Sequence, residues 1–247
     1  MLGAHSARLG MFRHPFVPMA LALCAVAPAV AQDGGLSVSA GARAWQTSWS
    51  TFTYFVDGNG VSRLGQSSAD DRLVVMPTLS LRWSDWSVSF SGLPSTTYDF
   101  PESNATGARQ EFDLTAGWRM LPGLNLTLGY KRVLQREGNV RYEPKGPVLG
   151  LSGTATLEGH WALYGTVSLG RLKTSGAASA TNVAFEADYR IAEVGLGYTL
   201  PASHWGVRRW TFTGGYRLQV MGSREAAGAQ SGRDETNGLT LGVIAGF

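Results

Sequence analysis

The sequence predicts an all-β protein, a transmembrane antiparallel up-and-down β-barrel of about ten strands that follows a cleaved signal peptide. Three observations predict this class. Apolar residues recur with a period of two along most of the chain. The connections between these segments are short and long in turn. No stretch after residue 31 approaches the ~20 apolar residues that a membrane-spanning helix needs, so strands must make any membrane crossing.

The amino-terminal segment has the three parts of a secretory signal peptide. Arg8 and Arg13 supply positive charge, an uncharged apolar run follows, and Ala29-Val30-Ala31 has the A-x-A form of a cleavage site. We therefore expect residues 1–31 to be a signal peptide and residues 32–247 to form one outer-membrane β-barrel domain. An alternative start that still gives a complete signal is the methionine at position 11.

Cysteine usage and charge exclude several classes of function. Cys24 is the only cysteine, and Leu23 precedes it where a lipobox has a small residue, so we do not expect lipidation. The mature chain then has no thiolate for catalysis, disulfides or zinc. The chain has 21 basic and 18 acidic residues but no basic run, which gives nucleic-acid binding no support. No pattern indicates a cofactor or a metal site.

Ten period-two segments can be marked along the chain. In the eighth, the apolar parity changes at Ala192-Glu193, which predicts a β-bulge. The predicted strands are about Leu36–Trp49, Leu73–Trp83, Trp86–Gly92, Phe112–Met120, Leu124–Tyr130, Leu149–Leu157, Trp161–Leu169, Val183–Leu200, Trp210–Val220 and Gly238–Phe247.

The connections and the tryptophans favour a membrane barrel over a soluble one. Short connections are predicted at 84–85, 121–123, 158–160 and 201–209, and long polar ones at 50–72, 93–110, 134–146, 174–182 and 222–237. Trp45 and Trp49 lie toward the long connections. Aromatic rings gather at membrane–water interfaces, so we expect two girdles. Tryptophans beside the short connections are Trp83, Trp86, Trp118, Trp161, Trp205 and Trp210.

The last ten residues, Gly238–Phe247, read GLTLGVIAGF, with one apolar face, and end on an aromatic residue. This segment resembles the closing strand of bacterial outer-membrane β-barrels, which typically ends in Phe and is recognised by the barrel-assembly machinery. The resemblance is to the superfamily of small outer-membrane barrels. It implies a location in the bacterial outer membrane, both termini in the periplasm, and Phe247 as the assembly terminus. Expected partners are outer-membrane lipid and lipopolysaccharide, and an extracellular ligand at the loops stays open.

The parity opposite the apolar one should face the lumen, and it is rich in charge. Barrels of about eight strands have room only for side chains, whereas about 16–18 strands leave a channel. We therefore expect a paired ion network that plugs the lumen. A charged constriction that passes small solutes is the alternative. The predicted network consists of Arg43, Arg82, Glu111, Asp113, Arg119, Lys131, Glu158, Glu186, Asp188, Arg190 and Arg217.

Small outer-membrane barrels also include lipases, acyl transferases and proteases, most of which need a histidine near a nucleophile or an acid. After residue 31 the histidines are His160 and His204, both in predicted periplasmic turns. Ser203 adjoins His204, but neighbours on an extended chain point apart. The sequence therefore predicts a non-enzymatic barrel with a structural or surface-interaction role. The alternatives are a narrow porin-like channel and, less favoured, an outer-membrane enzyme.

Overall fold

A computed structural model describes residues 35–137, 140–174, 185–202, 206–223 and 232–247. These residues form only strands and connections, and ten antiparallel strands close into a barrel because the last pairs with the first. The predicted fold class is confirmed. The strands are β1 (Ser37–Val56), β2 (Ser62–Ser68), β3 (Arg72–Trp83), β4 (Trp86–Phe100), β5 (Ala105–Leu121), β6 (Leu124–Glu137), β7 (Val140–Tyr142), β8 (Lys145–Thr156), β9 (Trp161–Thr174), β10 (Phe185–Pro201), β11 (Arg209–Ser223) and β12 (Gly232–Gly246).

Strands β2 and β7 stand outside the ring of ten. β2 pairs only with the second half of β1, and β7 pairs with the last residues of β6. The sequence analysis missed both, because SRLGQSS in β2 has no apolar alternation and β7 is three residues long. Together they extend the barrel wall at the end that carries the long connections.

Two predictions about the strands were wrong. The segment 93–110 is not a loop, because β4 and β5 continue to a four-residue turn at 101–104. The predicted bulge at Ala192-Glu193 is absent, because β10 pairs in continuous register with both neighbours from Ala187 to Tyr198. The register shifts instead in β4 between Leu93 and Thr96. That stretch contains a proline, which cannot donate to the ladder.

Both ends of the described barrel lie at one rim, which we call the short-turn end. Connections of two residues join β3 to β4 and β5 to β6 there. Gly123 has φ 78° in the second of these turns, a conformation that favours glycine. At the same rim the N–H of Phe247 donates to the carbonyl of Val38 at 2.8 Å. We call the opposite rim the long-connection end.

The outward face carries an apolar band. Leu241 and Leu128 are 68% and 61% exposed, values that only a lipid environment makes favourable for so many side chains. At the short-turn end the exposed rings of Trp86 and Trp118 lie 6.4 Å apart. Trp205 lies outside the described residues, as does the predicted signal peptide. No helix in the described part of the chain is long and apolar enough to span a bilayer. The exposed girdle tryptophans are Trp83, Trp86, Trp118, Trp161 and Trp210.

The second predicted girdle does not include Trp45 and Trp49. Both are fully buried inside the barrel, because they share the parity of β1 that also carries Arg43 and Thr47. Their position toward the long connections was predicted, but the inward orientation of their side chains was not. They belong to the lumen.

Candidate functional site: a charged layer across the lumen

Midway along the barrel, inward side chains meet in what we call the lumenal charge layer. Four are basic and four are acidic, so the layer is neutral when all are ionised. Burying unpaired charge is costly, and this balance lets every charge face an opposite one. The members are Arg43, Arg109, Glu111, Asp113, Lys131, Glu193, Arg217 and Asp234.

One part of the layer is centred on Glu193 of β10. Arg43 donates to its carboxylate, and Arg217 Nη1 lies 3.6 Å from the other carboxylate oxygen. The hydroxyl of Tyr164 donates to Glu193 Oε1, the same oxygen that Arg43 contacts, at 3.1 Å. Tyr164 can reach this position because Gly195 has no side chain. A Cβ at Gly195 would lie 2.6 Å from the Tyr164 hydroxyl and would block it. The side chain of Glu193 is only 2% exposed, so its two arginines compensate a buried charge.

The other part is centred on Glu111 of β5. Its carboxylate accepts from Arg109 Nε at 2.6 Å, Lys131 Nζ at 2.5 Å and Gln219 Nε2 at 2.7 Å. Lys131 also contacts Asp113 at 2.9 Å. β5 and β11 lie opposite each other in the ring of ten strands. The hydrogen bond from Gln219 therefore spans the lumen.

A second hydrogen bond also crosses the barrel. Gln135 of β6 donates to Asp234 of β12 at 2.9 Å, and these two strands are opposite each other in the ring. Asp234 accepts a further bond from Thr51 at 3.0 Å. Through these two bonds, side chains of facing walls meet across the interior.

Aromatic rings seal the spaces between the charges. Arg217 stacks on Trp45 at 5.1 Å and Arg109 on Trp49 at 5.5 Å, both within the range of cation–π attraction. Tyr189 of β10 receives Lys131 in the same way at 5.4 Å. These three ring–cation pairs come from both sides of the barrel.

The lumen on the short-turn side of this layer is different. Its inward positions are half-buried, and they are mostly serine, threonine and glycine. This half of the interior is therefore polar and more exposed than the centre of the charge layer, where Lys131 and Glu111 are 0% and 1% exposed. Examples of its lining are Ser39, Thr78, Ser80, Ser87, Ser89, Thr115, Asn125, Thr127, Ser152, Thr166, Thr211 and Thr213.

The structure brings five of the predicted lumen residues into the layer: Arg43, Glu111, Asp113, Lys131 and Arg217. The inward parity also carries Arg82 and Arg119, but near the short-turn end. Arg119 pairs there with Asp85 at 2.6 Å. The guanidinium groups of Arg119 and Arg209 lie close enough to Arg82 to repel it.

Four predicted lumen residues lie elsewhere. Glu158 is exposed in the turn between β8 and β9. Glu186, Asp188 and Arg190 are on the outer face of β10, because its inward parity carries Ala187, Tyr189 and Glu193 without a bulge. Their assignment to the lumen followed from reading the apolar residues near the start of β10 as lipid-facing. Phe247 is on the outer face and 41% exposed.

Several members of the site escaped the sequence analysis. Arg109 and Gln135 were assigned to loops, because the strands were ended where the outer apolar pattern stopped. Glu193 was taken as part of a bulge. The signal that finds it is the parity shared by Ala187, Tyr189 and Glu193 when the strand is followed without interruption.

Among solved structures, the chain is similar to the outer membrane protease OmpT from Escherichia coli. The two share 12% identity with a TM-score of 0.54, over 85% of this chain and 97% of that chain. The toluene transporter TodX of Pseudomonas putida shares 10% identity, with a TM-score of 0.32, over 87% of this chain and 90% of its own. A Pseudomonas aeruginosa FadL homologue shares 9%, with a TM-score of 0.29, over 86% and 90%.

No family of known sequences and no curated protein matches the chain. The fold is that of bacterial outer-membrane β-barrels, which confirms the resemblance inferred from the closing strand. At 12% identity the likeness to OmpT concerns the fold alone.

Proposed function

We propose that this protein is an integral outer-membrane β-barrel with a closed interior and a structural or surface-interaction role. We further propose an orientation in which the short-turn end and both termini face the periplasm and the long-connection end faces outward. The exposed apolar band and the girdle beside the short turns support this placement. Phe247 then stands at the periplasmic boundary, where the assembly machinery would recognise it.

The observation that carries the proposal is the sealed charge layer. Trp45, Trp49 and Lys131 are fully buried, and Arg109 and Glu111 are 1% exposed, which supports a lumen that is closed at this level. The surface that remains available for interaction with other molecules is at the outward end, where the β1–β2 hairpin exposes Tyr54 and Leu64. We expect an extracellular ligand to contact that hairpin.

Planar-bilayer recordings test whether the barrel is closed. We expect the wild type to conduct little, and the double variant Trp45→Ala/Arg217→Ala to open, because it removes one ring–cation pair of the layer. Arg119→Ala is the matched control, since this arginine lies in the open half and pairs with Asp85. Large stable wild-type openings would refute the closed-barrel proposal.

A narrow channel for small solutes is the second candidate, and the polar short-turn half of the lumen favours it. Among the described residues, the charge layer lies between that half and the outside, so opening would require rearrangement of the pairs of Glu193 and of the cross-lumen bonds of Glu111 and Asp234. Wild-type openings whose ion preference changes in Glu193→Gln would promote this candidate to first place.

An enzymatic role is not proposed, although the name of OmpT describes a protease. Glu111 and Glu193 are each held between two basic groups, so neither carboxylate is free to activate water. His160, the one histidine in the described part of the chain, lies at the short-turn end against Tyr198. Cleavage of a fluorogenic peptide library by the refolded barrel would overturn this view.

A further inference from the structure

Outward-facing basic residues form a row across three neighbouring strands at the long-connection end. Arg132 of β6 is directly opposite Lys145 of β8, and Lys145 is directly opposite Lys173 of β9. Their side chains are 41%, 51% and 74% exposed. We call this set the basic row. Like charges placed directly opposite each other destabilise a sheet, so the row calls for a compensating anion.

Acidic neighbours compensate the row only in part. Glu143 lies 2.7 Å from Arg132, 3.1 Å from Arg141 and 3.7 Å from Lys145. Burial opposes ionisation of Glu143, but the hydrogen bond and charge of Arg132 and the other bases keep its pKa below the usual value. This acid therefore stays ionised. Its single negative charge is shared among three cations, so the group keeps a net positive charge.

On β9 and β10 the excess of bases over acids is smaller, three against two. Glu186 lies 3.3 Å from Lys173 and 3.5 Å from Arg171, and Asp188 lies 4.0 Å from Arg171. Arg190 follows on the same outer face of β10. The whole outer patch then has seven bases and three acids, a net charge of +4. The bases are Arg132, Arg136, Arg141, Lys145, Arg171, Lys173 and Arg190, and the acids are Glu143, Glu186 and Asp188.

The basic row directly borders the apolar band. Tyr130 lies two residues before Arg132 on the same face of β6 and is 49% exposed. Leu149 and Leu169 are each 56% exposed, pair with each other, and lie four residues from Lys145 and Lys173. A strand advances about 3.3 Å per residue, so the charges lie roughly 7–13 Å from the exposed apolar side chains. That separation places the charges at headgroup depth when the apolar side chains contact acyl chains.

We propose that the basic row binds the phosphate groups of a phosphorylated lipid in the outer leaflet, whose acyl chains lie against Leu149 and Leu169. Arginine offers a planar fork that matches phosphate oxygens, and lysine supplies a point charge. A lipid satisfies charge and apolar surface together, which a free anion does not. The proposal deepens the proposed function and rests on its orientation, with the long-connection end outward.

The test uses the refolded barrel in nonionic detergent, titrated with lipopolysaccharide and followed by native mass spectrometry. We expect Lys145→Glu and Lys173→Glu to bind about tenfold or more weakly, because each replaces a charge-assisted hydrogen bond to phosphate by repulsion. The matched control is Arg63→Glu, an equally exposed charge reversal on the outward hairpin, away from the row. Equal binding by Lys145→Glu, Lys173→Glu and the control would overturn the proposal.

Two further arms identify the ligand chemistry. Enzymatically dephosphorylated lipopolysaccharide should bind about tenfold more weakly, and inorganic phosphate at the same concentration should not compete. Unchanged binding of the dephosphorylated lipid, or full competition by phosphate, would overturn the assignment to a phosphorylated lipid. Planar-bilayer currents are measured on the same preparations. A conducting wild type that still binds lipid would refute the closed barrel and leave this inference intact.

Discussion

At the scale of single residues, the interior depends on two acids that each serve more than one cation. Glu111 joins Arg109, Lys131 and Gln219, and Glu193 joins Arg43 and Arg217. In a buried network of this kind, the loss of one acid leaves several cations without compensation. The layer is therefore most sensitive at its acids rather than at any single base.

Glu111→Ala tests this dependence. We expect it to lower the free energy of unfolding by about 3–5 kcal/mol, because Arg109 and Lys131 are left buried without their carboxylate. Urea titration of the barrel in lipid vesicles measures the change. The control Glu102→Ala, at an exposed turn residue, should stay within about 0.5 kcal/mol of the wild type. The double variant Glu111→Ala/Arg109→Ala should cost less than the sum of the singles, and strict additivity would contradict a shared network.

Sequence parity identified part of this site and failed at particular residues. Arg43, Glu111 and Lys131 lie on the inward parity of their strands, and the opposite parity of these strands is apolar and exposed. The same rule misplaced Glu186, whose strand has apolar residues on its inward face near the long-connection end. Period two fixes which residues share a face. It does not say which face is inside once the strand leaves the membrane.

At the scale of strands, the wall is taller than its lipid-facing band. β4 and β5 run through most of a predicted loop, and β1 with β2 rises further still. Their upper parts have polar or mixed outer faces, because water and not lipid surrounds them. A sequence pattern that depends on apolar alternation therefore ends each strand at the membrane boundary, although backbone pairing continues beyond it. The ten strands and the short turns could be predicted, but the strand lengths could not.

Arginine substitutions distinguish the two faces of the strands. Leu241 is 68% exposed on the outer face of β12, and Leu241→Arg should cost ~2–4 kcal/mol if it lies near the bilayer midplane. Thr127→Arg should be milder, because Thr127 faces the polar half of the lumen, where water can solvate the guanidinium. Heat-modifiable migration on gels after refolding into vesicles gives the folded fraction. A larger loss in Thr127→Arg would mean that the faces are inverted.

At the scale of the whole molecule, the lumen has two unlike halves. The half toward the long-connection end is packed with Trp45, Trp49, Tyr98 and their cation partners, all with almost no exposure. The other half is lined by small hydroxyl side chains that are partly exposed. The lumen is therefore packed toward the long-connection end and accessible from the short-turn end, which faces the periplasm in the proposed orientation. Closure at the outward end and access from the short-turn end are separate properties and can be tested separately.

The absence of cysteine after residue 31 makes this asymmetry measurable, because single reporter cysteines can be introduced one at a time. Ser89→Cys and Ser152→Cys face the half-exposed part of the lumen, and a small water-soluble thiol reagent should label both. Thr47→Cys and Thr236→Cys, at positions 0% and 1% exposed, should resist labelling until the protein is denatured. Rapid labelling of Thr47→Cys in the native barrel would show that the charge layer admits water, and failure of the reagent to label Ser89→Cys would show that the short-turn half of the lumen is closed to water.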